Sequence, residues 1–279
     1  MRVGDVSVAA RKPELSLAIQ LAEEASAPRE WYGLGVRRPG PLRLFVVRGG
    51  ERLDSLMHGR APAWGAGFAM PGSRTIVVRV DAGDPRQILR HELAHLALYE
   101  AIRVRVPLWF DEGYAALASG ELGRLEMLRL NFTVARGRLP GFNELDRSLR
   151  GNESTAEAAY ALAASAVAML ARRHPERSLA PLLTRLSDGV GFDQAVLATT
   201  GSRVPRFEEE WQKDVRSRYN LLVWGMAGGF WLLMAGIVIW AWWQRKRRDR
   251  PRREALDEGW TVEESGPGGE QLDEVGKAP

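Results

Sequence analysis

The hydrophobic and polar positions divide the chain into short strands followed by a series of helices. Leu42–Val47 and Thr75–Val80 are rich in aliphatic and β-branched residues and are bounded by glycine and proline, which is typical of strands. Before them, residues 13–27 have the periodicity of an amphipathic helix. After Asp84 the pattern is helical up to Tyr219. Strands first and helices afterwards predict an α+β domain.

Capping residues mark where the helices begin. Asp84 is a good N-cap, and Pro85 suits the first helical position. Gln87 stands three residues after the cap, so a helix should begin here and run to about residue 103. Residues 107–120 form the next helical segment, from a proline to a glycine. Further helices are predicted at about 121–136, 153–173, 178–187, 192–199 and 205–219.

One segment is apolar enough to cross a membrane. Leu221–Trp243 runs 23 residues without a charge. A helix of that length is about 35 Å long, and the hydrocarbon core of a bilayer is about 30 Å thick. Trp240, Trp242 and Trp243 lie at one end, where tryptophan favours the headgroup level. The sequence therefore predicts one transmembrane helix at residues 221–243.

The flanking charges set its orientation. The basic residues that follow at once are Arg245, Lys246, Arg247, Arg248, Arg250, Arg252 and Arg253, whereas basic and acidic residues balance over 206–220. Basic flanks stay in the cytoplasm, so we expect a single-pass protein of the cell membrane with residues 1–220 outside. Residues 244–279, basic and then acidic, are predicted to be a disordered cytoplasmic tail. Because residues 1–27 lack the apolar run of a secretion signal, we expect the native start to lie upstream or a signal to be missing.

Composition excludes several other classes of protein. The chain has no cysteine, which rules out disulfides, thiol nucleophiles and cysteine-based zinc fingers. Its formal net charge of +4 comes from scattered arginines and the cluster beside the apolar segment, so we predict no nucleic-acid partner. Gly225 and Gly229 form a GxxxG pair that could let two transmembrane helices approach, which is a weak indication of a homodimer.

Candidate chemistry is concentrated in the helix after Asp84. It contains His91-Glu92-Leu93-Ala94-His95, an HExxH motif. Two histidines four positions apart lie on one helical face, so both imidazoles can reach one cation. Glu92 lies beside them and can act on a water at that cation. The motif predicts a zinc site with Glu92 as general base.

Two histidines and a water leave a tetrahedral zinc one protein ligand short. The sequence Trp109-Phe110-Asp111-Glu112-Gly113, near the start of the next helical segment, offers two carboxylates. From spacing alone, Glu112 and Asp111 both remain candidates for the third ligand.

HELAH followed by WFDEG resembles the HExxH…WxxEG pattern of gluzincin metallopeptidases in the peptidase-MA-like group, which are distantly similar to M1 aminopeptidases. The resemblance implies a zincin-like (thermolysin-like) domain at 41–218, after an N-terminal helical segment at 1–40. It implies one Zn²⁺ ion with Glu112 as third ligand, and it favours Tyr160 as the residue that hydrogen-bonds the oxyanion. Packing of the ring in the core explains Tyr160 equally well.

The same resemblance places an edge strand that pairs with extended substrate at 65–70. The chain departs from the GxMEN element of M1 aminopeptidases there, because GFAMPGS lacks its glutamate. Exopeptidase action is therefore in doubt.

The sequence as a whole favours a membrane-anchored zinc metallopeptidase. Zinc held by His91, His95 and Glu112 would activate a water, Glu92 would move the proton, and a peptide carbonyl would be attacked. A different class of function keeps the fold without turnover, as a membrane protein that binds a peptide or a partner. An intact motif alone does not separate the two.

Overall fold

The computed structural model describes residues 1–57, 65–120 and 139–257, which fall into two units, Met1–Val223 and Trp224–Pro279. Inside helices, the description of residues 153, 154, 157, 218–230 and 248–257 is limited to the backbone. Each unit is described by itself.

The first unit holds all the strands of the described residues. They are β1 (Arg2–Val3), β2 (Val6–Ala10), β3 (Arg29–Trp31), β4 (Gly35–Arg37), β5 (Leu42–Val47), β6 (Gly67–Met70) and β7 (Thr75–Arg79). The α-helices are α1 (Leu15–Ser26), α2 (Gly50–Met57), α3 (Pro85–Ala101), α4 (Leu108–Ala118), α5 (Phe142–Leu149), α6 (Glu153–Arg173), α7 (Ala180–Ser187), α8 (Phe192–Thr200) and α9 (Val204–Asp257). The predicted α+β class is confirmed.

The main sheet has five strands in the order β1-β2-β5-β7-β6. β2, β5 and β7 run parallel, and β6 lies antiparallel to β7 at one end of the sheet, with Phe68 opposite Val77. The two strands predicted from the pattern, β5 and β7, are central. The edge strand implied by the resemblance at 65–70 is present as β6. β3 and β4 form a separate hairpin.

Helices cover both faces of this sheet. Leu42, Leu44 and Val46 of β5 are buried in the main core, together with residues of α1 and α3. Phe45 and Val47 contact a smaller cluster on the other face, built around α2. Because β7 has helices on both sides, four of its five residues are buried.

Residues 1–40, predicted to be helical, contain more than a helix. The predicted helix at 13–27 is present as α1, but β1 and β2 precede it and join the main sheet. β2 pairs with β5, so its partner lies more than thirty residues away in sequence. A five-residue stretch with two alanines gives little local signal of that pairing.

The helical half follows the predicted order, except that α5 was not among the predicted helices. α3 and α4 begin where the capping residues indicated, and α6, α7 and α8 lie within two residues of their predicted bounds. The helix predicted at 121–136 lies outside the described residues. α9 includes the predicted helix at 205–219 and continues to Asp257.

The second unit differs from the prediction at its end. We expected a disordered tail from residue 244, whereas the helix extends to Asp257. Residues 245–257 are rich in arginine, and this residue type favours helix without any burial. The predicted tail beyond residue 257 lies outside the described residues.

Within the part of the chain that the structure describes, no helix combines the length and the apolar character needed to cross a membrane. The span predicted at 221–243 is helical, and the description of its residues 221–230 is limited to the backbone.

Candidate metal site

Helix α3 brings the two histidines of the HExxH motif together. Its first turn is held by Asp84, whose carboxylate accepts a hydrogen bond from the Arg86 amide at 3.0 Å. Two turns later His91 and His95 lie on one face, with ring centroids 4.9 Å apart. The opposite faces are packed in the core through Leu89, Leu93 and other aliphatic residues, so the helix is firmly held.

Helix α4 supplies the carboxylate. One oxygen of Glu112, Oε2, lies 3.4 Å from Nε2 of His91 and 3.4 Å from Nε2 of His95. Ligand atoms of all three residues lie within 4.8 Å of one another. The three residues named as ligands from the sequence thus converge on one point.

The donor set and its spacing fit zinc. Two imidazole nitrogens and one carboxylate oxygen are a ligand set found in catalytic zinc sites, where a fourth position stays open. Ligands about 2.0–2.1 Å from a zinc ion and at tetrahedral angles lie about 3.3–3.4 Å apart. The two nitrogen–oxygen distances of 3.4 Å match that separation and are long for hydrogen bonds.

Asp111, the competing candidate for the third ligand, takes a different position. Its Oδ1 lies 2.8 Å from Nδ1 of His95, on the side of the ring away from Glu112. A hydrogen on Nδ1 donated to Asp111 leaves Nε2 to face the metal position. The geometry therefore favours Glu112 as ligand and makes Asp111 the residue that orients His95.

The charges of the site are strongly coupled. Burial by itself lowers the pKa of His95, but the carboxylates of Asp111 and Glu112 outweigh it and raise that pKa well above its ordinary value. Burial likewise opposes ionisation of Glu112, yet the charge of His95 and the nearby His91 imidazole hold the pKa of Glu112 far below its ordinary value. Without metal, the site therefore favours a proton on His95 and a negative charge on Glu112.

Glu92 lies on α3 against the edge strand. It is 7% exposed, and its neighbour on β6 is Gly67. A Cβ on Gly67 would stand 2.6 Å from Cγ2 of Ile88 and 2.7 Å from Oε1 of Glu92, so both side chains would have to shift. The glycine thus leaves room for the carboxylate beside the strand.

Helix α6 brings Tyr160 to the site. The Tyr160 ring meets the His91 ring edge-on, with centroids 5.9 Å apart. This approach depends on Gly113, which follows Glu112. A Cβ on Gly113 would lie 2.5 Å from the carbonyl oxygen of Ala163, so only glycine lets α4 and α6 come this close.

Three features of the site were missed in the sequence. Asp111 was considered only as a ligand, although a carboxylate next to the third ligand is a natural partner for an imidazole. The spaces left by Gly67 and Gly113 depend on neighbours from other elements, and no local pattern indicates them.

Comparison with known families agrees with this geometry. The family model described as Peptidase MA superfamily matches residues 29–217, which is more than half of the chain and includes α3, α4 and α6. A search of curated proteins finds no match. The chain therefore belongs to the Peptidase MA superfamily.

Proposed function

We propose that the protein is a membrane-anchored, zinc-dependent peptidase. The observation that carries the proposal is the equal 3.4 Å separation between Oε2 of Glu112 and the Nε2 atoms of His91 and His95. That spacing suits one shared cation, and membership of the Peptidase MA superfamily supports zinc as its identity. The fourth position is left for a water or a substrate.

Zinc held by the three residues would supply Lewis-acid polarisation of the water and of the peptide carbonyl. Glu92 takes the proton of the attacking water and returns it to the leaving amine. Its position beside β6 supports this role, since it puts the base next to the strand on which substrate would lie. Tyr160, beside His91, is placed to donate a hydrogen bond to the negative charge that develops on the carbonyl oxygen.

The substrate class that this arrangement supports is an extended peptide or protein segment. β6 lies at the end of the sheet, next to α3, and β7 is its strand partner among the described residues. An edge strand can pair with an extended chain through main-chain hydrogen bonds, which are independent of substrate sequence. The missing GxMEN glutamate removes the element that grips a free amino terminus in the resembling aminopeptidases, so we propose endopeptidase action.

Membrane anchoring is the second part of the proposal. Leu221–Trp243 carries no charge, and the described side chains of this segment, such as Trp231 and Trp240, are exposed. At its basic end Lys246 lies over the Trp242 ring at 5.0 Å, and Arg247 over the Trp243 ring at 3.5 Å. Such aromatic and cationic pairs suit the headgroup level of a bilayer on its cytoplasmic side.

Peptide hydrolysis by the full chain in detergent tests the catalytic part. An unbiased library of peptides is digested with zinc-loaded protein, with protein treated with a chelator, and with the Glu92→Gln variant. Glu92→Gln keeps the shape of the base and removes its proton acceptor, so turnover should fall by about 10²–10⁴-fold. Its zinc content should not change.

Two other outcomes separate the alternatives. Wild-type protein that binds zinc and retains peptides without cleaving them would support the non-catalytic function, a peptide- or partner-binding membrane protein. Cleavage that persists in Glu92→Gln at the wild-type rate would contradict the assignment of the base.

Cysteine labelling tests the orientation. The chain contains no cysteine, so single variants can be read without background. In intact cells a membrane-impermeant maleimide should label Ser217→Cys and should leave Ser265→Cys unlabelled until the membrane is opened. The reverse pattern would contradict the proposed topology.

A further inference from the structure

The helix that carries Glu112 begins without a cap of its own. The N-cap position of α4 is Pro107, whose side chain offers no hydrogen-bond acceptor. The backbone amide of Trp109, in the first turn, instead donates to Oδ1 of Asp146 on α5, at 2.7 Å. A carboxylate at this point replaces an N-cap side chain and also favours the positive end of the helix dipole. The start of α4 is therefore fixed by α5.

Helix α5 is fixed in the same way by α9. Its N-cap is Gly141, and the Phe142 amide donates to Oε2 of Glu208 at 3.0 Å. A Cβ on Gly141 would stand 2.6 Å from Oε1 of Glu208, so the glycine makes room for this carboxylate. One turn later in α9, Gln212 donates to the carbonyl oxygen of Pro140 at 3.2 Å.

An aromatic stack connects the same three helices, α4, α5 and α9. The Phe142 ring stacks on Trp109 of α4, with centroids 4.1 Å apart and planes at 11°. Phe142 also stacks on Trp211 of α9 at 5.2 Å. The indole nitrogen of Trp211 donates to Ser165 of α6, the helix that carries Tyr160. The first turns of α9 thus contact α6, which carries Tyr160, directly. Through α5 they also reach α4, which carries Glu112.

We propose that Glu208 and Asp146 are positioning residues of the metal site. Glu208 fixes the start of α5, Asp146 on α5 fixes the start of α4, and α4 holds Glu112 against the two histidines. Neither residue is among the three that converge on the metal position, so both act through the placement of a helix. The expected change in zinc affinity rests on the proposed function, whereas the expected change in amide exchange at the start of α4 does not.

Amide exchange and zinc affinity, measured on the full chain in detergent, test this proposal together. Hydrogen–deuterium exchange reports the first turn of α4 without any metal, and competition with a chromogenic chelator gives the affinity for zinc. In Asp146→Ala and in Glu208→Ala, exchange at Trp109 should become about fivefold faster, which is the effect of removing one cap. Zinc affinity should fall by about fivefold for the same reason.

Conservative and control variants show whether loss of the cap causes the faster exchange and the weaker zinc binding. Asp146→Asn and Glu208→Gln keep an acceptor oxygen, so both quantities should stay within about twofold of wild type. Glu209→Ala removes the same charge one position along, from an exposed side chain that pairs with Arg206, and should change neither quantity.

Gly141→Ala should remove the same cap while Asp146 and Glu208 both stay in the sequence. Its Cβ would displace Glu208, so it should reproduce the exchange and the affinity of Glu208→Ala. The double variant should be no weaker than either single variant, because both changes remove one interaction. If an alanine variant of a carboxylate fails to fold, Gly141→Ala still carries the test.

The outcomes separate this proposal from the zinc function. Wild-type protein that binds no zinc would overturn the proposed function, while exchange at Trp109 would still decide the role of the two caps. Folded Asp146→Ala, Glu208→Ala and Gly141→Ala chains with wild-type exchange and wild-type affinity would overturn the positioning role.

Discussion

Helices α3 and α4 provide the two halves of the metal site, but they are specified in different ways. α3 is capped by its own Asp84, and the spacing of its two histidines is set by one turn of helix. α4 has a proline at its N-cap position and takes its cap from Asp146 on another helix. The first half of the site is therefore local in sequence, and the second half depends on packing.

Because the two helices are fixed in different ways, changes in α3 and in α4 should affect different properties of the protein. A change at the start of α3 should lower the stability of the domain and leave the geometry of the histidines intact. A change around α4 should alter where Glu112 lies and so alter the affinity for zinc. Four predictions test this contrast, in decreasing order of expected effect.

Removal of the partner of His95 should have the largest effect on zinc. Asp111→Ala leaves Nδ1 of His95 without its acceptor at 2.8 Å, so the ring is no longer held towards Glu112. Zinc affinity should fall by about 10–100-fold, as for other residues that orient a metal ligand. Asp111→Asn keeps an acceptor oxygen without the charge and should lose less. Equal affinities for Asp111→Ala and wild type, by competition with a chelator, would show that α3 alone orients its histidine.

Gly113→Ala tests the packing of α4 on α6. In an isolated helix alanine is more favourable than glycine by about 1 kcal/mol. Here its Cβ would meet the Ala163 carbonyl oxygen at 2.5 Å, so we expect a loss of about 1–3 kcal/mol in the free energy of unfolding. Gly236→Ala, where a Cβ meets nothing within 4 Å, is the control and should cause no loss. Denaturant unfolding of the full chain in detergent would measure both.

Zinc affinity should rise with pH. The raised pKa of His95 means that, without metal, the folded protein binds a proton there more tightly than the unfolded chain does. This proton stabilises the metal-free fold at low pH, and the contribution is lost as pH rises through the raised pKa. Zinc needs the neutral imidazole, so each binding event below that pKa should release about one proton, and the affinity should change about tenfold per pH unit. Calorimetry in buffers of different ionisation enthalpy counts the protons, and an affinity independent of pH would contradict the charge coupling.

The smallest effect should come from the local cap of α3. Asp84→Ala removes the hydrogen bond to the Arg86 amide and should lower the free energy of unfolding by about 1 kcal/mol. Zinc affinity should stay within about twofold of wild type, because His91 and His95 lie two turns further on. Asp84→Asn keeps an acceptor and should retain most of the stability. A large loss of zinc affinity in Asp84→Ala would remove the contrast between the two helices.

The same contrast explains how much of the molecule could be predicted from its sequence. β5, β7, α3 and the HExxH histidines follow from periodicity, capping and one short motif, all of which are local. β2 was missed because its partner β5 is remote in sequence.

The third ligand needed more than the spacing of residues. Spacing left Asp111 and Glu112 open, and the family resemblance favoured Glu112. The structure separates them by which nitrogen of His95 each carboxylate approaches. The caps from Asp146 and Glu208 join helices that are distant along the chain, and no local pattern contains that information.

Zinc content per chain tests the central claim most directly. The full chain in detergent, loaded with zinc and then dialysed, should retain one zinc ion by native mass spectrometry, as should Glu92→Gln. His91→Ala and Glu112→Ala should retain almost none, because each removes one of the three ligand atoms that converge within 4.8 Å. A His91→Ala or Glu112→Ala chain that keeps its full zinc content would contradict the account.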